Sequence, residues 1–225
     1  MPVPDIAWSW SRLTCFEKCP RQFFEKNVSK SVPFVTNETL ERGKRLHDMM
    51  EGAILKREPI HDKISHMTPV IESIHAVAWD VIDVESENTL RRDMTSTSWF
   101  GKDAWLRVKM DFTGIKGTKA VNMDWKTGKN YGYSDQLKLY AGFVMHKWDF
   151  VQEVDTGFIY MDQQESATKV WKRRQLNAIW DDFEERVELI QIANQSGIWE
   201  PKPSKFNCAW CPVDRCKARA TPYKG

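Results

Sequence analysis

Several features are scarce in this 225-residue chain. No apolar run approaches the length needed to span a bilayer. The opening residues, Met1-Pro-Val-Pro-Asp-Ile-Ala-Trp8, lack the basic and apolar regions of a secretory signal. Both absences predict a cytoplasmic protein with no membrane partner. A charge excess of one sign is missing too: the formal net charge is +2 with 28% charged residues. Bulk electrostatics therefore do not announce a nucleic-acid binder, although local patches can act as one. Cysteine is absent from the whole stretch between Cys19 and Cys208. Cys15 and Cys19 lie near the start, and Cys208, Cys211 and Cys216 near the end. In a reducing compartment such thiols favour metal binding or free cysteine over structural disulfides. Repeats and low-complexity tracts are also lacking, while eleven Trp within 12% aromatic content argue for a folded chain.

The length allows one large domain or two small ones. Residues 11–26 read as a short helix pair around Cys19-Pro20. A helix starts at Thr36 or Asn37, with Leu40, Leu46, Met50 and Ile54 on one stripe and His47 on the same stripe. Thr68-Pro69 opens a second amphipathic helix carrying Val70, Ile71, Ile74, Val77, Ala78, Val81 and Ile82. Strand character follows from about Glu85 to Asp93 and again from Ala104. A helix begins after Ser134, strands cover Thr156–Met161 and Ala167–Trp171, and a long helix runs from Gln175 to Ala193 until Gly197 stops it. The pattern predicts a single α/β domain over residues 1–225, with helices flanking a mixed sheet.

Two adjacent strands carry the most chemistry. Leu106, Val108, Met110 and Phe112 alternate with Arg107, Lys109 and Asp111; Val121, Met123 and Trp125 alternate with Asn122, Asp124 and Lys126. This period of two marks half-buried strands, and Gly117-Thr118 suits a type II′ hairpin turn between them. That register sets Asp111 opposite Asp124, with β-carbons roughly 5 Å apart on one face. Like charges so close are destabilising unless neutralised, and a divalent cation would neutralise them beside Lys126. The competing reading is a solvated charged face. Arg107 and Lys109 could hold phosphates there, and Glu85 and Glu87 are candidates for a further acidic ligand.

His47 is either a core histidine or a nitrogen ligand aimed at the sheet. With two carboxylates it would make a mixed N/O site suited to Mg²⁺ or Mn²⁺. Gln136 and Tyr140 are four residues apart and share a helix face, facing either the site or the core edge. Cys208-Ala-Trp-Cys211-Pro-Val-Asp-Arg-Cys216 places three thiols in a loop. They need a fourth ligand, Cys19 or Cys15, to close a zinc site or an iron–sulfur cluster.

These residues together resemble the PD-(D/E)XK nuclease superfamily, most closely its RecB-like branch, which includes CRISPR-associated and phage exonucleases with a cysteine-bound cluster. The resemblance runs in order through Ser9-Trp-Ser-Arg-Leu-Thr-Cys-Phe-Glu-Lys-Cys19-Pro-Arg-Gln-Phe, Gly43-Lys-Arg-Leu-His47, Lys109-Met-Asp111, Asp124-Trp-Lys126 and Gln136-Leu-Lys-Leu-Tyr140. It implies a restriction-endonuclease-like core over residues 35–198, with 8–30 and 199–225 joined by the cysteines. Under it His47, Asp111 and Asp124 bind Mg²⁺ or Mn²⁺, Lys126 orients or activates the attacking water, and Gln136 and Tyr140 complete the core. It also implies a 4Fe–4S cluster on Cys19, Cys208, Cys211 and Cys216. The Cys211–Cys216 gap is shorter than the family spacing and Cys15 is an extra thiol, so Zn²⁺ stays an alternative. The implied activity is exonucleolytic hydrolysis of DNA ends, double- or single-stranded, in recombination or repair, with recombination or CRISPR-adaptation proteins as partners. A non-catalytic DNA-binding or scaffold module on the same fold is the rival reading.

Overall fold

The computed structural model describes residues 3–55, 57–132, 134–222 and 224. Five strands form one sheet in the order β1 (Val81–Leu90), β2 (Leu106–Lys116), β3 (Lys119–Lys126), β4 (Glu153–Tyr160), β5 (Glu165–Lys172). Pairing is antiparallel for β2/β3 and β4/β5 and parallel for β3/β4, so the expected mixed sheet is present. Gly117 holds φ +57 between β2 and β3 while Thr118 does not turn left-handed, as a type II′ turn requires.

The helices are α1 (Trp10–Lys18), α2 (Pro20–Phe23), α3 (Glu38–Leu55), α4 (Thr68–Ala76), α5 (Asp135–Lys147), α6 (Leu176–Ser196) and α7 (Lys205–Ala209). Caps explain several of the starts. The Asn37 carboxamide accepts from Leu40 N, and the Ser134 hydroxyl accepts from Gln136 N. Gly197 at φ +69 ends α6.

The chain separates into two compact units: Met1–Val35, Thr89–Arg107 and Asp182–Gly225 in one, Thr36–Asn88 and Val108–Asp181 in the other. In the second unit Leu46, Met50 and Ile54 of α3 and Ile71 and Ile74 of α4 pack on Phe112, Trp125 and Met161. α5 is buried nearly all round, through Leu137, Leu139, Tyr140, Ala141, Phe143, Val144 and Met145. It is therefore a core helix rather than a surface one. A Cβ at Gly142 would meet Ile179 Cγ2 at 2.7 Å, so α6 lies against α5 at a distance only glycine permits.

In the first unit Trp8 is fully buried, stacked on Phe183 at 5.8 Å and edge-on to Trp105 at 5.5 Å. Trp199 stacks on Phe23 at 5.7 Å with Phe16 and Phe24 around it. Each such pair adds about 0.5–1.5 kcal/mol beyond burial. The Gln191 carboxamide both donates to and accepts from the Ile6 backbone, and Arg186 holds Glu17 through two nitrogens.

Some expectations fail locally. α4 stops at Ala76, and Val81 and Ile82 belong to β1, since an apolar run read alone does not distinguish helix from strand. Leu40 is half exposed, because the inward stripe of α3 begins only at Leu46. Asn122 and Asp124 do point away from the α3/α4 core, yet both are buried, because that face of the sheet is covered as well. Cys208 sits in α7 rather than in a loop. Among the described residues no helix is long and apolar enough to cross a membrane.

Candidate active site

The β2/β3 register runs from Lys116↔Lys119 to Phe112↔Met123, and its next step sets Asp111 level with Asp124. The two carboxylates then diverge. Asp111 Oδ2 accepts from the buried Trp125 N–H at 2.8 Å, which leaves Oδ1 facing His47 Nδ1 at 3.5 Å. His47 reaches the sheet from α3, where Leu46 and Met50 anchor the helix in the core. Its Nδ1 also lies 3.0 Å from Glu85 Oε1, and its Nε2 lies 3.1 Å from the Trp125 carbonyl.

Ligand atoms of His47, Glu85 and Asp111 all fall within 4.8 Å of one another, the one such group among the described residues. Glu85 gets there through φ +48 in the middle of β1, a left-handed residue that redirects the strand. Glu87 is exposed and stays outside the group. Burial opposes charge on His47, yet the hydrogen bonds and negative charges of Asp111 and Glu85 prevail and push its pKa up to about 10. A cation is thus held between the carboxylates by the proton on Nδ1. With Nε2–H donating to the Trp125 carbonyl, Nδ1 is the nitrogen a metal ion would take, by displacing that proton and using the lone pair it leaves. Two carboxylates and an imidazole are the hard, oxygen-rich donor set that fits Mg²⁺ or Mn²⁺.

Asp124 is held differently. Its Oδ2 lies 2.5 Å from Lys126 Nζ, and its Oδ1 accepts from Tyr140 OH at 2.9 Å and from Gln136 Nε2 at 3.2 Å. Gln136 Nε2 also donates to Tyr140 OH at 2.6 Å, and its Oε1 accepts from Lys126 Nζ at 3.1 Å. Ser134 caps α5 so that Gln136 and Tyr140, one turn apart, present their polar ends to β3. Burial, then the charge of Asp111, raises the Asp124 carboxyl above the ordinary aspartate range, with Lys126 pulling it back. Burial and the same two aspartates drive the Tyr140 phenol well above its usual value, which keeps it a donor.

Lys109 pairs with Glu85 Oε2 at 2.9 Å. Arg107 Nε donates to the Trp99 carbonyl at 2.8 Å, so part of its guanidinium is already engaged.

Cys19, Cys208, Cys211 and Cys216 line one small cavity with Pro201 and Arg219. Arg219 donates to the carbonyls of Cys208, Cys211 and Val213, fixing the end of α7 and the loop after it, which together carry three of the thiols. An Ala220 N–H bond lowers the Cys208 pKa, whereas burial raises Cys211 and Cys15. The four sulfurs do not converge within 4.8 Å, and Cys15 does not line the cavity.

The family model of the PD-(D/E)XK nuclease superfamily matches residues 7–216, and the chain belongs to that superfamily. Among solved structures, the "Putative exonuclease" of Eubacterium rectale is similar at 16% identity, with a TM-score of 0.52, 96% of this chain and 91% of that one covered. The crystal structure of SSO0001 is similar at 12% identity and a TM-score of 0.48, covering 97% and 89%. No curated protein matches the chain. At 16% identity the Eubacterium rectale structure speaks for the fold alone.

Proposed function

We propose that this member of a nuclease superfamily is a Mg²⁺- or Mn²⁺-dependent deoxyribonuclease that hydrolyses phosphodiester bonds as an exonuclease. The convergence of His47, Glu85 and Asp111 beside the Asp124–Lys126 pair carries the reading. His47, Glu85 and Asp111 would hold the ion, with Asp124 completing the acidic set from β3. A divalent ion in such a site supplies Lewis-acid polarisation of a phosphoryl oxygen and acidifies water. The residues of the chain do the rest. Lys126 sets a positive charge where negative charge develops on the reacting phosphate and donates a hydrogen bond to the incoming water. Gln136 and Tyr140 hold Asp124 and Lys126 in place, so that neither must reorganise during the reaction.

The four cysteines lining one cavity support a thiolate-held group on Cys19, Cys208, Cys211 and Cys216. A 4Fe–4S cluster is the first choice and Zn²⁺ the second. Bound there, it would tie the proline-rich tail to α2.

The deciding assay is degradation of end-labelled linear and closed circular DNA with Mg²⁺ or Mn²⁺, by the intact chain and by Asp124→Ala. The expected result is metal-dependent loss of linear DNA only, abolished by the substitution. Near-normal cleavage by Asp124→Ala would refute the active-site assignment, and cutting of circular DNA would refute exonuclease action.

A further inference from the structure

Phe206 in α7 and Trp210 at its C-terminal cap are 73% and 55% exposed, whereas Trp8, Trp105, Trp125, Trp171 and Trp199 are all buried. They stand four residues apart, in the first turn of α7 and at its C-terminal cap. Among the described residues neither ring packs on another aromatic ring. The Lys18 ammonium lies 5.9 Å from the Phe206 ring centroid, and most of the Phe206 surface is exposed. Exposed cations surround the pair in sequence. Lys205, Arg215, Lys217 and Lys224 make no ion pair among the described residues, and only Glu200 and Asp214 oppose them from Trp199 onward.

An apolar protein partner is a poor match for this surface, because lysine is depleted from the buried centres of such interfaces. Open aromatic faces beside unpaired cations suit a ligand that has a π-face and a phosphate in every repeat. We propose that Phe206 and Trp210 form a stacking platform for successive bases of single-stranded nucleic acid, with Lys18 and Lys205 holding the phosphates. The choice of nucleic acid as ligand rests on the nuclease reading above. The platform deepens that reading by giving the chain a preference for unpaired strand, since bases stacked in a duplex cannot present their faces.

The test uses the full Asp124→Ala chain, so that bound DNA survives, with a fluorescent oligo-dT and a blunt duplex as probes. Phe206→Leu and Trp210→Leu keep apolar bulk but remove the aromatic face, and Trp210→Phe restores a face. Both positions are exposed, so melting temperatures stay unchanged. Each Leu variant should bind oligo-dT about tenfold more weakly, Trp210→Phe should recover most of that loss, and duplex affinity should hardly move. Unchanged oligo-dT affinity, or equal losses for both probes, overturns the platform. Self-association of the parent that the Leu variants abolish also overturns it, assigning the surface to a contact between copies. The nuclease reading is scored separately, by metal-dependent cleavage with the unsubstituted chain. A chain that cleaves while its Leu variants bind normally loses only the platform. One that binds oligo-dT through the rings yet never cleaves loses only the nuclease.

Discussion

Asp111 has two oxygens with two tasks, and paired substitutions separate them. Oδ2 accepts from Trp125 N–H, a bond between neighbouring strands in a buried setting, while Oδ1 faces His47 beside Glu85. Asp111→Ala removes both and strands a buried N–H, at a cost of about 1–3 kcal/mol. In a chain of this size each kcal/mol moves the melting temperature by about 2–4 °C. The Ala variant should therefore melt roughly 2–12 °C below the parent in metal-free buffer, where no ligand binding contributes. Asp111→Asn keeps a carbonyl acceptor for Trp125 N–H and removes only the charge. It should melt well above the Ala variant. Catalysis should not discriminate, since both lose the anionic ligand. A deficit of about 4 kcal/mol in transition-state stabilisation corresponds to about a thousandfold slower cleavage. Scanning fluorimetry, Mn²⁺ titration calorimetry and single-turnover cleavage read the three quantities. Equal melting of Asn and Ala would show that the Trp125 contact carries no weight. Brisk cleavage by Asp111→Asn would remove the carboxylate from the metal site.

Lys126→Ala should lower cleavage at least a hundredfold and also destabilise, by about 3–5 kcal/mol, because Asp124 is left buried without its cation; a stable, inactive variant would contradict the second half. His47→Ala should weaken Mn²⁺ binding, with activity partly recovered at high Mn²⁺, and early melting at full activity would make it a packing residue instead. Cys208→Ser should remove the metal found by elemental analysis and expose the tail to protease, whereas a metal content unchanged by the substitution would dismiss the four-cysteine site. Iron with sulfide in the parent would identify the cluster, and stoichiometric zinc would exclude it.

Much of the site was legible because its determinants are local. A two-residue turn fixes the β2/β3 register, so Asp111 and Asp124 could be aligned from the sequence alone. Ser134 and the spacing of Gln136 and Tyr140 likewise set the face of α5 toward β3. Glu85 was only one of two acidic candidates. Its place beside His47 depends on a left-handed residue within β1, and nothing in Val-Glu-Ser-Glu marks where a strand will bend. The divergence of the two aspartates was hidden as well, since it needs Trp125 N–H on one side and Tyr140 on the other, contacts that only packing supplies. The sequence set the chain ends apart from a core, but that residues 89–107 and 182–198 join them in the first unit lay beyond it, because those segments are held there by long-range aromatic and backbone contacts.

The discontinuous make-up of the first unit has a consequence for biosynthesis. Residues through Val35 leave the ribosome early, yet their partners Phe183, Arg186, Gln191 and Trp199 are made more than a hundred residues later. At about 5–20 residues per second that gap lasts roughly ten to forty seconds. During it Trp8 lacks Phe183, Phe16 and Phe23 lack Trp199, and Cys15 and Cys19 stand as bare thiols on a nascent chain. Residues 36–181 can meanwhile assemble most of the sheet. Ribosome-bound chains halted near residue 181 should expose those aromatics to chaperones, and the passage through that window should govern how much protein a cell recovers.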